Sequence, residues 1–205
     1  MDLPAITALF WDVGGVLLTD AWDHIQRADA LARFGLDPAE FQQRHETLVP
    51  SFECGRIHLD EYLDRAVFYR ERAFTRDAFR DYMFSLSKPR ADVLGLAQQL
   101  AKSKKYLMST INNESLELNL YRIQTYGLRD ICSLFVSSCF VGLRKPEEGI
   151  YRLALALTQR KAEESCFLDD RPPNLETAAR LGMRTILVKD AAQATTELGK
   201  LGVSL

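Results

Sequence analysis

Short apolar runs recur along the chain, and most of them end in a polar residue. One run covers residues 6–11, and four more cover residues 106–109, 134–137, 166–168 and 185–188. Such continuous runs are typical of strands that are covered on both faces. Between the later runs the apolar residues recur at helical spacing. This alternation predicts an α/β fold with a doubly wound parallel sheet.

The helical stretches of this part of the chain have recognisable ends. Gly127 and Gly182 follow two of them, where a glycine often ends a helix, and Pro146 stands at the predicted first position of a third. The predicted helices cover residues 92–102, 115–126, 146–159 and 175–181, and a last helix follows residue 188.

Residues 19–89 have a different pattern, with helical periodicity and many charges. Pro38 is suited to the first position of a helix, and Thr75 is suited to an N-cap. We count about four helices and no strand in this stretch. The sequence therefore predicts an α/β core of residues 1–18 and 90–205, into which residues 19–89 are inserted as a mobile helical cap.

Composition limits the possible partners and the compartment. The 205 residues carry a formal net charge of -2, and no stretch approaches the ~20 apolar residues of a membrane-spanning helix. We therefore expect neither nucleic acid nor a membrane as a partner. The chain has four cysteines and no C-x-x-C pair, which favours reduced thiols in a cytoplasmic protein over a disulfide framework or a zinc site. The oligomeric state stays open between a monomer and a homodimer.

Polar residues with related chemistry follow the strand-like runs. They are Asp12, Ser109 with Thr110, Lys145, and the pair Asp169-Asp170. Parallel sheets bind ligands beyond the carboxyl ends of their strands, so we expect these side chains to meet at one edge. Asp12 and Asp170 can hold Mg²⁺, which prefers oxygen ligands. Lys145, the Ser109 hydroxyl and the Thr110 N–H can bind the oxygens of a phosphate, with Asp12 as the nucleophile.

These segments resemble the four motifs of the haloacid dehalogenase superfamily, in the same order and over nearly the whole chain. The matching segments are residues 10–17, 107–110, 143–146 and 167–170. Within the superfamily, the chain is similar to the phosphatases that act on glucose 1-phosphate and to the N-terminal phosphatase domain of soluble epoxide hydrolases. The resemblance implies a Rossmannoid core with a helical cap and a magnesium-dependent phosphohydrolase that acts on a small phosphorylated metabolite.

One position departs from the superfamily pattern. Most phosphatases of this superfamily carry, two residues after the nucleophile, a second Asp that serves as general acid and base, and this chain has Gly14 there. The resemblance still implies that the Gly14 carbonyl binds magnesium with Asp12 and Asp170, with Asp169 adjacent. Either the leaving group needs little protonation, or Asp20, Asp23 or His24 enters the site.

Two other functions remain open at this point. The same fold supports 2-haloacid dehalogenases, which use the Asp nucleophile without a metal, although their fourth motif is not an Asp-Asp pair. The absence of an acid at Gly14 is also compatible with a binding protein that has lost catalysis. In the cap, we expect the aromatic residues to form a core and residues 52–56 to face the cleft, because Gly55 permits a close approach.

Overall fold

The centre of the molecule is a parallel β-sheet of five strands. In this computed structural model the described residues are 4–205, so residues 1–3 of the predicted core lie outside the described part. The strands are β1 (Ala8–Trp11), β2 (Leu107–Asn112), β3 (Leu134–Ser137), β4 (Ser165–Asp169) and β5 (Arg184–Leu187). Their order across the sheet is β3-β2-β1-β4-β5. The predicted fold class is confirmed.

The register of the sheet determines which side chains meet at its edge. The last residue of β1, Trp11, pairs with Thr110 of β2 and with Leu168 of β4. Residues that follow β1 and end β4 therefore come together beyond the carboxyl ends of two adjacent parallel strands. This is the edge at which doubly wound sheets bind ligands.

Helices cover both faces of the sheet. They are α5 (Ala91–Ser103), α6 (Leu116–Thr125), the short α7 (Ser138–Val141), α8 (Glu148–Thr158), α9 (Pro172–Arg180) and α10 (Ala191–Lys200). Side chains of α5 and α10 belong to one buried apolar cluster with alternate residues of β1. Side chains of α8 and α9 belong to a second cluster on the opposite face. The two clusters explain why the strand sequences are apolar throughout.

Four helices lie between β1 and α5 in the chain, as the periodicity predicts. They are α1 (His24–Arg33), α2 (Pro38–Glu53), α3 (Leu59–Ala66) and α4 (Arg76–Ser85). Pro38 starts α2, and the Thr75 side chain accepts a hydrogen bond from the Ala78 N–H at the start of α4. These helices share an apolar cluster of their own, which also includes Leu118 of α6.

The chain enters and leaves the helical segment at one place. Leu18 and Pro89 form an antiparallel bridge, so the two connections lie side by side. We retain as a proposal that residues 19–89 move as a cap relative to the core. Gly55 of this segment has a φ of +66°, and an added Cβ there would collide with the Cys139 carbonyl oxygen. Gly55 therefore permits a close approach to the backbone of Cys139 and not, as expected, to the cleft.

Two further predictions are decided by the fold. The helix expected to begin at Pro146 begins instead at Glu148, because the preceding residues form a turn that is tied to the end of β2. The four cysteines, Cys54, Cys132, Cys139 and Cys166, are free thiols, as expected. Among residues 4–205, no helix combines the length and the apolar character that a bilayer crossing requires.

Candidate active site

Three carboxylates converge beyond the ends of β1 and β4. Asp12 directly follows β1, Asp169 ends β4, and Asp170 comes next. One oxygen from each of them lies within 4.8 Å of the others. The Asp12 N–H donates to the Leu168 carbonyl (2.8 Å), which extends the pairing of the two strands to the carboxylate itself. The adjacent parallel strands thus explain the cluster.

Lys145 lies within this cluster as a buried cation. Its Nζ is 2.8 Å from Asp12 Oδ1 and 2.6 Å from Asp169 Oδ2. The Asn113 side chain fixes the Lys145 backbone, since its Oδ1 accepts from the Lys145 N–H and its Nδ2 donates to the Lys145 carbonyl, both at 2.9 Å. The ammonium is therefore held from the end of β2 and aimed at the carboxylates.

Asp169 and Asp170 differ in their hydrogen-bond partners. Asp169 accepts from Lys145 Nζ, from the Arg171 N–H (2.7 Å) and from Asn174 Nδ2, which lies 3.0 Å from both oxygens. Asp170 Oδ1 is buried and has no hydrogen-bond partner among the described residues. Asp169 is thus saturated by the protein, whereas Asp170 has an oxygen available for a cation.

The electrostatics of the cluster also favour a cation. Burial raises the pKa of Asp12, and the neighbouring carboxylates raise it further, while the Lys145 ammonium opposes them. Burial also raises the pKa of Asp170, and Asp20 and Asp169 add to this shift. Three carboxylates face one ammonium in a buried place, so a divalent cation would relieve their repulsion. Clustered carboxylate oxygens are suitable ligands for Mg²⁺.

The two glycines after Asp12 have different surroundings. Gly15 has a φ of +76°, and an added Cβ would collide with the Asp170 carboxylate, so only glycine lets Asp170 approach β1. A Cβ at Gly14 would meet Arg122 Nη1 and the Asp20 Cα at 3.5 Å and Asp20 Oδ1 at 3.6 Å, which are ordinary contacts. The metal contact of the Gly14 carbonyl stays a prediction.

Asp20 occupies the space next to Gly14 and lines the same cavity as Asp12. Burial raises its pKa, as does Asp23, whereas the arginines around it lower it. The other two candidates are less available. Asp23 accepts hydrogen bonds from two N–H groups at the start of α1, and the His24 side chain is 80% exposed.

Arg122 holds the connection that carries Asp20. Its guanidinium is buried and donates to the carbonyls of Thr19 (2.9 Å) and Asp20 (2.6 Å), and it forms an ion pair with Glu114 at 2.9 Å. A single sequence gave no signal for this role, because an arginine in a helix usually belongs to its solvated face.

Ser109 and Thr110 are not at the predicted place. Both are fully buried inside β2, which continues to Asn112, and the Ser109 hydroxyl donates to the Leu134 carbonyl at 3.1 Å. Neither residue lines the cavity, whose wall at this strand is formed by residues 113 and 114. The polar pair resembled a strand end in the sequence, but both side chains lie inside the strand, and the Thr110 hydroxyl has no hydrogen-bond partner among the described residues. The predicted contacts of these residues with phosphate are not supported by this position.

A cavity of about 650 Å³ lies above the carboxylates, between the sheet edge and the helical segment. Its floor includes Asp12 and Lys145, and Trp22, Arg27 and His45 of the helical segment line it from the other side. The sequence indicated Trp22 only as one of the aromatic core residues of the cap and gave no role for Arg27 or His45. Phe52 and Glu53, from the segment expected to face the cleft, also line the cavity.

A sequence model of the haloacid dehalogenase-like hydrolases matches residues 6–182. The chain belongs to this family. Its members are hydrolases, and the matched range includes all three carboxylates of the cluster and Lys145.

Curated relatives and solved structures agree with this assignment. The hydrolase is 29% identical over 98% of its length to bifunctional epoxide hydrolase 2 of Sus scrofa and spans only 40% of that protein. It is 27% identical to flavin mononucleotide hydrolase 1 of Arabidopsis thaliana, with 93% of this chain and 78% of that protein covered. A magnesium complex of a haloacid dehalogenase family enzyme from Bacteroides thetaiotaomicron has the same fold, with a TM-score of 0.76, 20% identity, and coverage of 96% and 100%.

Proposed function

We propose that this hydrolase is a magnesium-dependent phosphatase that acts on a small phosphate monoester, with a sugar phosphate favoured, through an aspartyl phosphate on Asp12. The observation that carries the proposal is the contact of Lys145 Nζ with Asp12 at the floor of a cavity, beside the unpartnered oxygen of Asp170. The magnesium complex of the Bacteroides enzyme and the name of the Arabidopsis relative support it.

The chemistry of the first step follows from the contacts of Asp12. Its Oδ1 accepts from the Val13 N–H and from Lys145 Nζ, both at 2.8 Å, which leaves Oδ2 for attack on phosphorus. The bond from Oδ2 to phosphorus forms while the ester bond breaks, and the leaving oxygen takes a proton. Lys145 offsets the repulsion between the carboxylate and the phosphate dianion. Magnesium, held by Asp12, Asp170 and the Gly14 carbonyl, would supply further charge neutralisation.

The second step needs a base. Water attacks the phosphorus of the aspartyl phosphate, its proton passes to a base, and the bond to Asp12 breaks to release phosphate. We assign this proton transfer to Asp20, because its Oδ1 lies 3.6 Å from the place where a side chain at position 14 would begin. The same group can protonate the leaving oxygen in the first step.

The test is phosphate release from a panel of sugar phosphates, nucleotides and phenyl phosphate, with magnesium and with EDTA. We expect turnover with magnesium, loss of turnover with EDTA, and no turnover in the Asp12→Asn variant. Asp23→Asn is the matched control, because this residue also lines the cavity but serves as an N-cap, a role that asparagine retains.

Two outcomes would contradict the proposal. Asp12→Asn turnover above a few per cent of the wild-type rate would exclude Asp12 as the nucleophile. Chloride release from 2-chloropropionate without phosphate release from any ester would indicate a dehalogenase, the alternative on the same fold.

A further inference from the structure

The cap side of the cavity contains a chain of hydrogen bonds that no catalytic step uses. Trp22 Nε1 lies 3.0 Å from Tyr62 Oη, and the same Oη lies 2.8 Å from His45 Nδ1. Tyr62 is fully buried, and Trp22 and His45 both line the cavity. The three residues come from the start of the helical segment, from α2 and from α3, so this chain joins elements that are distant in sequence.

The hydrogens of this chain can be assigned from its donors and acceptors. An indole N–H only donates, so Tyr62 Oη accepts from Trp22. The single hydrogen of the tyrosine hydroxyl then has His45 Nδ1 as its acceptor, since Tyr62 Oη has no third partner within residues 4–205. If Nδ1 accepts, the hydrogen of a neutral imidazole must be on Nε2.

The surroundings keep His45 neutral and fixed. Burial lowers its pKa to about 4, and the nearby Arg27 guanidinium contributes to this shift. The ring of Phe41 stacks on His45 with an interplanar angle of 13°, and Phe52 stacks on Tyr62 at a centroid distance of 4.1 Å. No hydrogen bond to Nε2 is made by the described residues, so its N–H is left for a molecule in the cavity.

The charged side chains around the cavity bear on which chemical group of the bound molecule accepts the hydrogen bond from His45. Arg27 Nη1 already donates to the Trp22 carbonyl at 2.5 Å, and Arg144 is paired with Glu53 at 2.6 Å. Asp20, Asp23 and Glu53 place carboxylates on the same walls, and Arg171 lines the cavity beside Asp170. With cations and carboxylates both present, the neutral His45 ring offers a hydrogen bond without a charge, which suits an uncharged oxygen.

We propose that His45 Nε2–H is the specificity-determining donor of a leaving-group subsite, and that this subsite takes an uncharged hydroxyl or carbonyl oxygen, as in a sugar. The inference rests on the proposed phosphatase function and adds the recognition of the leaving group to it. Tyr62 is a positioning residue, because it acts on the substrate only through the tautomer of His45.

The first test needs no substrate. In the full chain with ¹⁵N-labelled histidine, NMR at pH 7 should show His45 as a neutral Nε2–H tautomer. His24→Gln and His58→Gln assign the other two signals. In Tyr62→Phe the His45 signals should shift toward a mixture of tautomers. A charged ring or an Nδ1–H tautomer in the wild type would overturn the proposal whether or not the protein is a phosphatase.

The second test compares leaving groups with and without hydroxyls. Phosphate release from glucose 1-phosphate, other sugar phosphates and phenyl phosphate is measured for the wild type, His45→Phe and His45→Gln. Loss of one hydrogen bond to an uncharged group corresponds to about tenfold. We expect kcat/KM of His45→Phe to fall about tenfold for the preferred sugar phosphate and to change less than about twofold for phenyl phosphate.

The controls separate recognition from folding. His45→Gln keeps an N–H donor and should recover most of the lost kcat/KM, and thermal melts report whether either variant is destabilised. An equal loss on both kinds of probe would show a merely structural role and overturn the proposal, as would a wild type that prefers phenyl phosphate to every sugar phosphate. Phosphate release from no probe would refute the proposed function, and the tautomer measurement would still stand.

Discussion

Replacing Asp20 by asparagine tests the assignment of the general acid and base. The substitution keeps the size of the side chain and leaves intact the two backbone carbonyls that Arg122 holds. The connection should therefore stay in place, and the change is confined to the proton-transfer group. We expect Asp20→Asn to fold like the wild type and to turn over far more slowly.

The magnitude follows from the role and from the geometry. General acid–base catalysis contributes ~10²–10⁴-fold, or about 3–5 kcal/mol of barrier. Restoring a carboxylate at position 14 while Asp20 is present would bring two negative charges to about 4 Å, a repulsion of roughly 4 kcal/mol at an effective dielectric constant of 20. Gly14→Asp alone should therefore not increase turnover. In the double variant Gly14→Asp/Asp20→Ala the new carboxylate keeps Arg122 as its neighbour and should recover at least about tenfold over Asp20→Ala.

Rapid-quench kinetics with an activated aryl phosphate make the two steps visible. A good leaving group departs without an acid, so Asp20→Asn should release one equivalent of the aryl product in a burst and then proceed slowly, because water still lacks its base. Gly14→Ala is the control for occupying the space, since its Cβ makes only contacts of 3.5 Å or more. Steady-state turnover within about threefold of the wild type, with no burst, would refute the reasoning.

Two further predictions concern the metal site and pH. Gly15→Ala should weaken Mg²⁺ binding in calorimetry at least about tenfold, because the added Cβ collides with the Asp170 carboxylate, and Asp170→Ala should weaken it as well. Gly35 is the control, since it has a similar φ of +61° and nothing within 4 Å of an added Cβ, so Gly35→Ala should bind Mg²⁺ like the wild type. Equal weakening in both glycine variants would contradict the collision. His45, with a pKa lowered from 6.5 to about 4, binds a proton more readily in the unfolded chain, so the free energy of unfolding should fall by up to about 3 kcal/mol as pH drops through 6.5 to 4. In urea titrations the His45→Gln variant should lose less stability over this interval, and an identical pH profile would refute the attribution.

The sequence predicted the parts of the site that follow directly from strands. Asp12, Lys145 and Asp169-Asp170 stand at ends of apolar runs or just before a helix, and parallel pairing brings such positions to one edge. Ser109 and Thr110 showed the limit of this reasoning. A polar residue inside a strand has the same appearance in the sequence as one at its end, and only the pairing with β3 shows that β2 continues past both.

The sequence predicted the helices of the cap, but it did not predict which of their side chains line the cavity. The structure places His45 on the buried face of α2, but nothing near it in the sequence indicates the Tyr62 hydroxyl, which lies 17 positions further along the chain. Arg122 is a similar case, because its partners, the carbonyls of residues 19 and 20, are about 100 positions away. Such contacts depend on how separate elements pack, and a single sequence does not record them.

Leu118 has a consequence for the way substrates enter. This core residue is fully buried in the apolar cluster of the cap helices, and exposing a leucine costs roughly 1.5–3 kcal/mol. A cap that lifted away from α6 would incur this cost at every turnover, whereas a tilt about the Leu118 contact would open the far side of the cavity without it. Substrate should therefore enter, and product leave, through the side of the cavity opposite α6. Residues that line this side would set the rates of both steps.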